Sequence, residues 1–363
     1  MTEQNRVILI MAGGTGGHVF PGLAVADYLK QLGWRIVWLG TTTGMERRLV
    51  LQHGYDMELI NFSGLRGKNL TTWFMLPLRL IKAFMQSLKI ILKIKPNVVL
   101  GMGGYPAFPG GMMASLLNKP LVIHEQNSLP GLTNKILAKL ADKVVLGFPN
   151  AINGNEDKIV HSGNPVRPEI TQLAQPQDRF HSRQGNLKLL VLGGSLGAQI
   201  LNTVVPQALK KMPAELCPIV IHQTGSSHCE AVQKSYTDLQ LIGEVIPFID
   251  DMAKQYAQCD VIICRAGALT VAELCAAGVA SILVPYPHAV DDHQTSNAKF
   301  LSDQGAAILL PQSELTADTL AQLLTNLTRK QLLDMSIKVR SLAKPQATRV
   351  VSEICIELSR RVA

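Results

Sequence analysis

Residues 9–33 read LIMAGGTGGHVFPGLAVADYLKQLG. The apolar run Val7–Met11 enters Gly13-Gly14-Thr15-Gly16-Gly17, His18 follows at once, and a helix-like segment continues to Gly33. This order predicts a buried strand, a glycine turn and a helix, with Pro21 near the first helical turn and Gly33 just past the end. Small residues let backbone N–H groups approach an anion, and a helix start adds partial positive charge. His18 at the mouth of such a turn is a candidate acid or base. The competing explanation is a tight strand–helix turn with no ligand; four glycines followed by a histidine favour a site.

Detail excludes two common nucleotide loops. A dinucleotide turn built on Gly14-Thr15-Gly16 would need a third glycine where Val19 stands, and the second strand ends WLGTTTG without an acid for a ribose. A P-loop would need Gly-Lys-Ser/Thr, which is absent.

Short apolar runs alternate with amphipathic segments along the chain. Strands are predicted at Val7–Met11, Arg35–Leu39, Val98–Leu100, Leu121–His124 and Val144–Leu146, with helices starting near Pro21, Gly44, Thr72, Pro106 and Gly131. After a proline-containing break at 163–186, KLLVLGGSLGAQILN repeats the opening logic. Strands follow at Ile219–His222, Val261–Cys264, Ile282–Val284 and Ala307–Leu310, and helices start near Ala198, Asp250, Ala268, His293 and Thr316. The pattern predicts an α/β protein with two doubly wound parallel-sheet domains facing a cleft, ligands lying beyond the carboxyl ends of the strands. With 363 residues the chain exceeds one ordinary core.

Other loops on the same sheet edges carry polar groups. HEQNSLPG places His124, Glu125, Gln126 and Asn127 at a strand end, and Gln126 is expected to be structural. CRAGALTVAELCAAG predicts a helix starting near Ala268 whose free N–H groups suit a diphosphate. Glu273 then either accepts a ribose diol or completes a capping box with Thr270, and the spacing leaves both open. In PYPHAVDDHQTSNAKFL, His293, Gln294 and Asn297 suit sugar hydroxyls, or simply follow an N-cap at Asp291 or Asp292.

Charge is uneven. Residues 1–165 hold 17 Lys/Arg against 9 Asp/Glu, and the remainder holds 18 of each, so the net +8 lies in the first half. No acid occurs from Leu59 through His124. Within 71–96, Arg79, Lys82, Gln86, Lys89 and Lys93 fall on one helical stripe amid apolar residues. A basic, oily helix suits an anionic bilayer surface; the alternative is a buried helix with a solvated lysine stripe. Nucleic acid is disfavoured by an aromatic content of 5% with no stacking platform. No leader and no transmembrane helix are expected. The six cysteines have neither CxxC nor zinc spacing and are expected to be free thiols.

GGTGGHVFPGLAVA, MGGYPAFPG, HEQN, GNPVR, LGGSLGA, FIDDM, CRAGALTVAEL and the Gln294 loop, in that order over nearly the whole chain, resemble the MurG family of undecaprenyl-diphospho-muramoylpentapeptide β-N-acetylglucosaminyltransferases. The resemblance implies a GT-B fold of two Rossmann-like domains. Residues 1–166 would bind acceptor and membrane, 167–344 would bind the UDP-sugar, and 345–363 would form a helix returning to the first domain. It implies inverting transfer of N-acetylglucosamine from UDP-N-acetylglucosamine to the 4-hydroxyl of undecaprenyl-diphospho-N-acetylmuramoyl-pentapeptide, at the cytoplasmic face of a bacterial inner membrane. Anionic lipid and cell-wall synthesis proteins are the further partners implied.

Residue by residue, the resemblance puts Arg167 and Ile249 near the uracil, and Ser195, Ala268, Leu269 and Thr270 near the diphosphate, with Val271 and Ala272 among the further substrate contacts. Glu273 takes the ribose, and Gln294 and Asn127 take the sugar. Thr15, Gly16 and Gly17 join the donor contacts while also facing the acceptor. His18 is the general-base candidate, with Glu125 and His124 as alternatives. Trp73, Phe74, Arg79, Lys82, Phe84 and Lys89 are the expected membrane contacts. The chain lacks an Asp-x-Asp motif, so neither an essential metal nor a cofactor is expected. His293 stands where the family frequently has a second glutamine. Competing activities on such a fold are another UDP-sugar transferase acting on a glycolipid, and a UDP-N-acetylglucosamine 2-epimerase-like enzyme.

Overall fold

The computed structural model describes residues 6–62, 75–194 and 197–360. The chain divides into two compact units, one made of residues up to Val166 together with those from Pro345 onward, the other of Arg167–Lys344.

In the first unit seven parallel strands lie in the order β3-β2-β1-β4-β5-β6-β7. They are β1 (Val7–Ala12), β2 (Arg35–Thr41), β3 (Asp56–Ile60), β4 (Val98–Gly103), β5 (Leu121–Glu125), β6 (Lys143–Leu146) and β7 (Ile159–His161). Side chains alternate across the sheet. Ile8 and Ile10 pack with Leu23, Ala26 and Leu29 of the helix Gly16–Gln31, whereas Leu9 and Met11 pack with Ala83, Ile91 and Ala107 on the opposite face. Helices on both faces make the middles of the central strands apolar. The C-terminal helix Ala347–Ser359 adds Val351, Cys355 and Leu358 to the first of these faces, at helical spacing.

The second unit repeats this winding with six parallel strands in the order β10-β9-β8-β11-β12-β13. These are β8 (Lys188–Leu192), β9 (Ile219–Gln223), β10 (Gly243–Ile246), β11 (Val261–Cys264), β12 (Ala280–Leu283) and β13 (Ile308–Leu309). In both units the strand order reverses beside the first strand, between β1 and β4 and between β8 and β11. Such a reversal opens a crevice at the carboxyl edge of the sheet.

Several boundaries differ from the sequence expectations. The first helix starts at Gly16, not near Pro21. β1 ends at Ala12, Gly14 turns the chain at φ +91, and Thr15 is an extended N-cap (φ −132, ψ 156), so the helix begins at once and Pro21 sits inside it. The cost is one missing N–H late in the first two turns. β3, β7 and β10 have no counterpart among the predicted strands, and all three are sheet edges. An edge strand is half covered, so its sequence need not be a continuous apolar run; DMELI of β3 is the example. The helix expected from Thr72 is described from Leu76 to Ile94.

Candidate active site

In the first unit the loops after β1, β4 and β5 meet at the point of strand reversal. His18 lies in the first turn of the helix Gly16–Gln31, and its Nδ1 is 3.2 Å from the Gly13 carbonyl oxygen and 3.4 Å from Thr15 Oγ1. A carbonyl can only accept, so Nδ1 is the donor in this contact. The Nε2 side of the ring lies against Gly103 at the end of β4. A Cβ on Gly103 would come within 3.1 Å of Nε2, and its φ of +102 is one that other residues rarely adopt. Thr15 is exposed, and Gly16 and Gly17 are half-buried beside it.

The two alternatives to His18 are bound into the scaffold. Glu125 is buried, and its Oε1 accepts from the Asn127 backbone N–H (2.9 Å) and Nδ2 (3.3 Å). Its Oε2 accepts from the Gly131 N–H (3.1 Å) and Asn134 Nδ2 (2.9 Å). Four donors on one carboxylate fix the 125–134 loop, and with it Asn127. His124 is fully buried; its Nε2 donates to the Gly163 carbonyl (3.2 Å) and its Nδ1 accepts from Gln126 Nε2 (3.1 Å). Burial lowers its pKa to about 4, so the ring is neutral. Gln126 is buried and structural, as its neighbours suggested.

In the second unit the helix Ala268–Ala277 follows β11 directly, with Gly267 as an extended N-cap. Thr270 is therefore the third helical residue and makes no capping box with Glu273. Glu273 instead accepts from Arg167 (Nη2, 3.1 Å) and from the hydroxyl of Tyr256 (3.0 Å). Burial pushes its carboxyl pKa up, against the pull of Arg167 and Tyr256 toward the charged form. Ala268 and Val271 are buried, whereas Leu269, Thr270 and Ala272 are half-buried. The buried Ile249 lies in the loop before the helix Met252–Gln258, which carries Tyr256.

Gln294 lies at the start of the helix His293–Ser302, and its Oε1 accepts from the Tyr286 N–H (3.0 Å). This bond ties the helix to the proline-bounded loop and leaves the amide nitrogen as the group able to donate. Asp292 is the N-cap residue, at φ 52, and accepts from Thr295 Oγ1 (2.7 Å). Asn297 is fully buried and donates to the Ala266 carbonyl, which holds the turn before the helix Ala268–Ala277. Ser195, Trp73 and Phe74 lie outside the described residues.

On the helix Leu76–Ile94 the side chains of Leu78, Ile81, Met85 and Leu92 are each more than half exposed, and Arg79, Lys82 and Lys89 are exposed beside them. Phe84 is half-buried, its ring centroid 5.8 Å from that of Phe108. Two members of the expected polar stripe are engaged: Lys93 pairs with Glu58 (2.7 Å), and Gln86 accepts from the Asn61 N–H. No described helix is long and apolar enough to cross a membrane.

Sequence reading passed over several residues that build these sites. Tyr256 and Asn134 sit in helices with no motif around them. Arg265 donates to the Val284 and Pro285 carbonyls and to Gln312, and so shapes the loop before Gln294. Glu46 holds the glycine turn from below. The acid beside Gly44 in TTTGME is a weak local signal for it.

Residues 8–146 match the glycosyltransferase family 28 N-terminal domain, and residues 188–351 match the glycosyltransferase family 28 C-terminal domain. A protein of Nitrosospira multiformis is 63% identical over 98% of this chain and 99% of its own length. It is named UDP-N-acetylglucosamine–N-acetylmuramyl-(pentapeptide) pyrophosphoryl-undecaprenol N-acetylglucosamine transferase. A Nitrosomonas europaea protein of the same name is 60% identical over 97% of this chain and 98% of its own. The crystal structure of Acinetobacter baumannii MurG superposes with a TM-score of 0.84 at 42% identity, covering 97% of this chain and 99% of that one.

Proposed function

The chain belongs to the family of UDP-N-acetylglucosamine–N-acetylmuramyl-(pentapeptide) pyrophosphoryl-undecaprenol N-acetylglucosamine transferases, and from that membership we propose how its residues divide the reaction. It is a GT-B glycosyltransferase that moves N-acetylglucosamine from UDP-N-acetylglucosamine to the undecaprenyl-linked muramoyl-pentapeptide. Identity of 63% over nearly the full length separates this reaction from glycolipid synthesis and epimerisation.

The acceptor 4-hydroxyl attacks the anomeric carbon from the face opposite UDP. The new C–O bond forms as the bond to the diphosphate breaks, the electron pair leaves with UDP, and the hydroxyl proton passes to His18 Nε2. The observation that supports this assignment is the bond between His18 Nδ1 and the Gly13 carbonyl, which leaves Nε2 as the basic nitrogen. Glu125 and His124 serve the site by fixing the loop that presents Asn127 to the sugar. Thr15, Gly16 and Gly17 give backbone room beside the base.

On the donor side Glu273 accepts the ribose diol, held in place by Tyr256. Arg167 and Ile249 border the uracil. The first turn of the helix Ala268–Ala277, with Ser195, stabilises the departing diphosphate by the positive end of the helix dipole. Gln294 donates to the sugar through its amide nitrogen. Arg79, Lys82 and Lys89, with Phe84 and the exposed Leu78, Ile81 and Met85, dock the protein peripherally on anionic lipid.

The test is transfer of labelled N-acetylglucosamine from UDP to the lipid-linked acceptor in detergent with EDTA, comparing wild type with His18→Ala. Label is expected to move in the wild type and to fall by about 100-fold or more in the variant, with donor binding retained. A variant that keeps most of its rate would demote His18 to positioning. A wild type that binds donor but transfers nothing would overturn the acceptor.

A further inference from the structure

Glu46 is the first residue of the short helix Glu46–Gln52, and its carboxylate is fully buried. Oε1 accepts from the Thr41 backbone N–H (2.9 Å) and hydroxyl (2.7 Å), and Oε2 accepts from the Gly14 N–H (3.2 Å). The fit around it is close: a Cβ on Gly44 would lie 2.0 Å from Oε2, and one on Gly13 would lie 2.8 Å from Oε1. A buried carboxylate so enclosed is costly unless its acceptors are filled, and here three donors fill them.

The Gly14 N–H and the Gly13 carbonyl belong to one planar peptide group. The nitrogen side of that group donates to Glu46, and the oxygen side accepts from His18 Nδ1 at 3.2 Å. We propose that Glu46 is a positioning residue for the base, acting on His18 through the Gly13–Gly14 peptide. It does so in two ways. It fixes the peptide plane, so the carbonyl faces Nδ1 and the lone pair stays at Nε2. It also polarises the amide: an N–H bonded to a carboxylate shifts electron density to the carbonyl oxygen, which then holds the imidazolium proton more strongly. The arrangement does the work of an acid that orients a catalytic histidine, with a peptide group interposed. The inference rests on His18 being the base.

Other titratable groups lie on neighbouring elements. Tyr105, after β4, lies against Gly14. Glu125 and His124, at the end of β5, lie beyond Asn134, which donates to Glu125 Oε2 and to the His124 carbonyl. Among these acids and bases of the described residues, Glu46 is the one bonded to the peptide that clamps Nδ1.

Glu46→Gln keeps the volume but carries one acceptor and one donor end, so it satisfies either Thr41 or Gly14 and not both. The variant is expected to lose roughly 10- to 100-fold in kcat, with the KM for UDP-N-acetylglucosamine within about twofold of wild type. The acid limb of its pH–rate profile moves to lower pH, because a base without the carboxylate is weaker. Thr41→Val removes one bond to Oε1 and leaves the Gly14 contact, so its acid limb is expected to stay in place; a purely structural role would make the two variants alike. In the wild type, ring-15N NMR of His18 is expected to show the neutral form protonated at Nδ1, which needs no variant to fold. An Nε2-protonated ring, or an unshifted acid limb in Glu46→Gln, overturns the proposal. If His18→Gln retains its rate, the base assignment falls first, and that result is distinct from a failure confined to Glu46.

Discussion

At His124 and at His222 burial lowers the imidazole pKa to about 4 in each case. His222 is bonded to Asn202 and Tyr236 in the second unit and is not among the candidate site residues. Both rings titrate near 6.5 when the chain unfolds. Between pH 6.5 and 4 the unfolded state therefore binds more protons, and stability falls as pH drops through that window, then levels off. Above pH 6.5 the full contribution is present, on the order of 3 kcal/mol per histidine. Urea unfolding at pH 7 and at pH 4.5 should show the loss, and His222→Gln should flatten it; an equal slope in the variant would refute the assignment.

Tyr256 gives the second expectation at this scale. Its hydroxyl is a donor to Glu273, and Tyr256→Phe leaves a buried carboxylate one partner short. At about 1 kcal/mol for a lost hydrogen bond, the KM for the donor should rise roughly fivefold while kcat changes little. Steady-state kinetics with a donor KM inside twofold of wild type would sink the idea. His18 was legible because it stands inside a glycine motif. Tyr256 was not: its role exists only once the helix Met252–Gln258 is laid beside Glu273, 17 residues on in sequence.

At the scale of elements, the helix Leu76–Ile94 shows how far a pattern reading goes. Its apolar and basic character was plain in the sequence, but which apolar side chains face outward was not. Ala83, Ser87, Ile90 and Ile91 are buried on the sheet side, which turns Leu78, Ile81 and Met85 outward and Phe84 toward Phe108. Replacing Leu78, Ile81 and Met85 together by Gln should weaken co-sedimentation with anionic liposomes by tenfold or more, at about 0.8 kcal/mol per buried CH₂. Thermal stability should hardly move, since exposed positions carry little of it. Binding indifferent to the substitutions, to salt and to anionic lipid content would remove the membrane reading. The central strands were equally legible, because helices cover both faces and force continuous apolar runs. Edge strands β3, β7 and β10 escaped because half-covered strands carry mixed sequences.

At the scale of the molecule, the C-terminal helix Ala347–Ser359 belongs to the first unit although the second unit precedes it in the chain. Val351, Cys355 and Leu358 are buried in the core around β1 and β4. Deleting residues 345–363 exposes that face. At roughly 1.5–3 kcal/mol for each fully buried side chain, the loss approaches the whole stability of a domain. Calorimetry should then show the first unit's transition lowered or absent while the second unit's persists; two unchanged transitions would contradict the packing.

The sequence by itself determined the two repeated strand–turn–helix starts, the parallel winding and the placement of His18, Glu273 and Gln294 in helices that follow the strands. Those properties follow from local periodicity and from glycine and proline chemistry, which short stretches encode. Only the tertiary structure decided that Glu46 grips the peptide behind His18, that Glu125 takes four donors from its own loop while His124 is bonded to Gly163 and Gln126, and that Tyr256 and Arg167 share Glu273. Each of these depends on which buried polar groups meet across separate elements. Burial makes every such group take a partner, but the partner's identity is set by the packing of the whole unit.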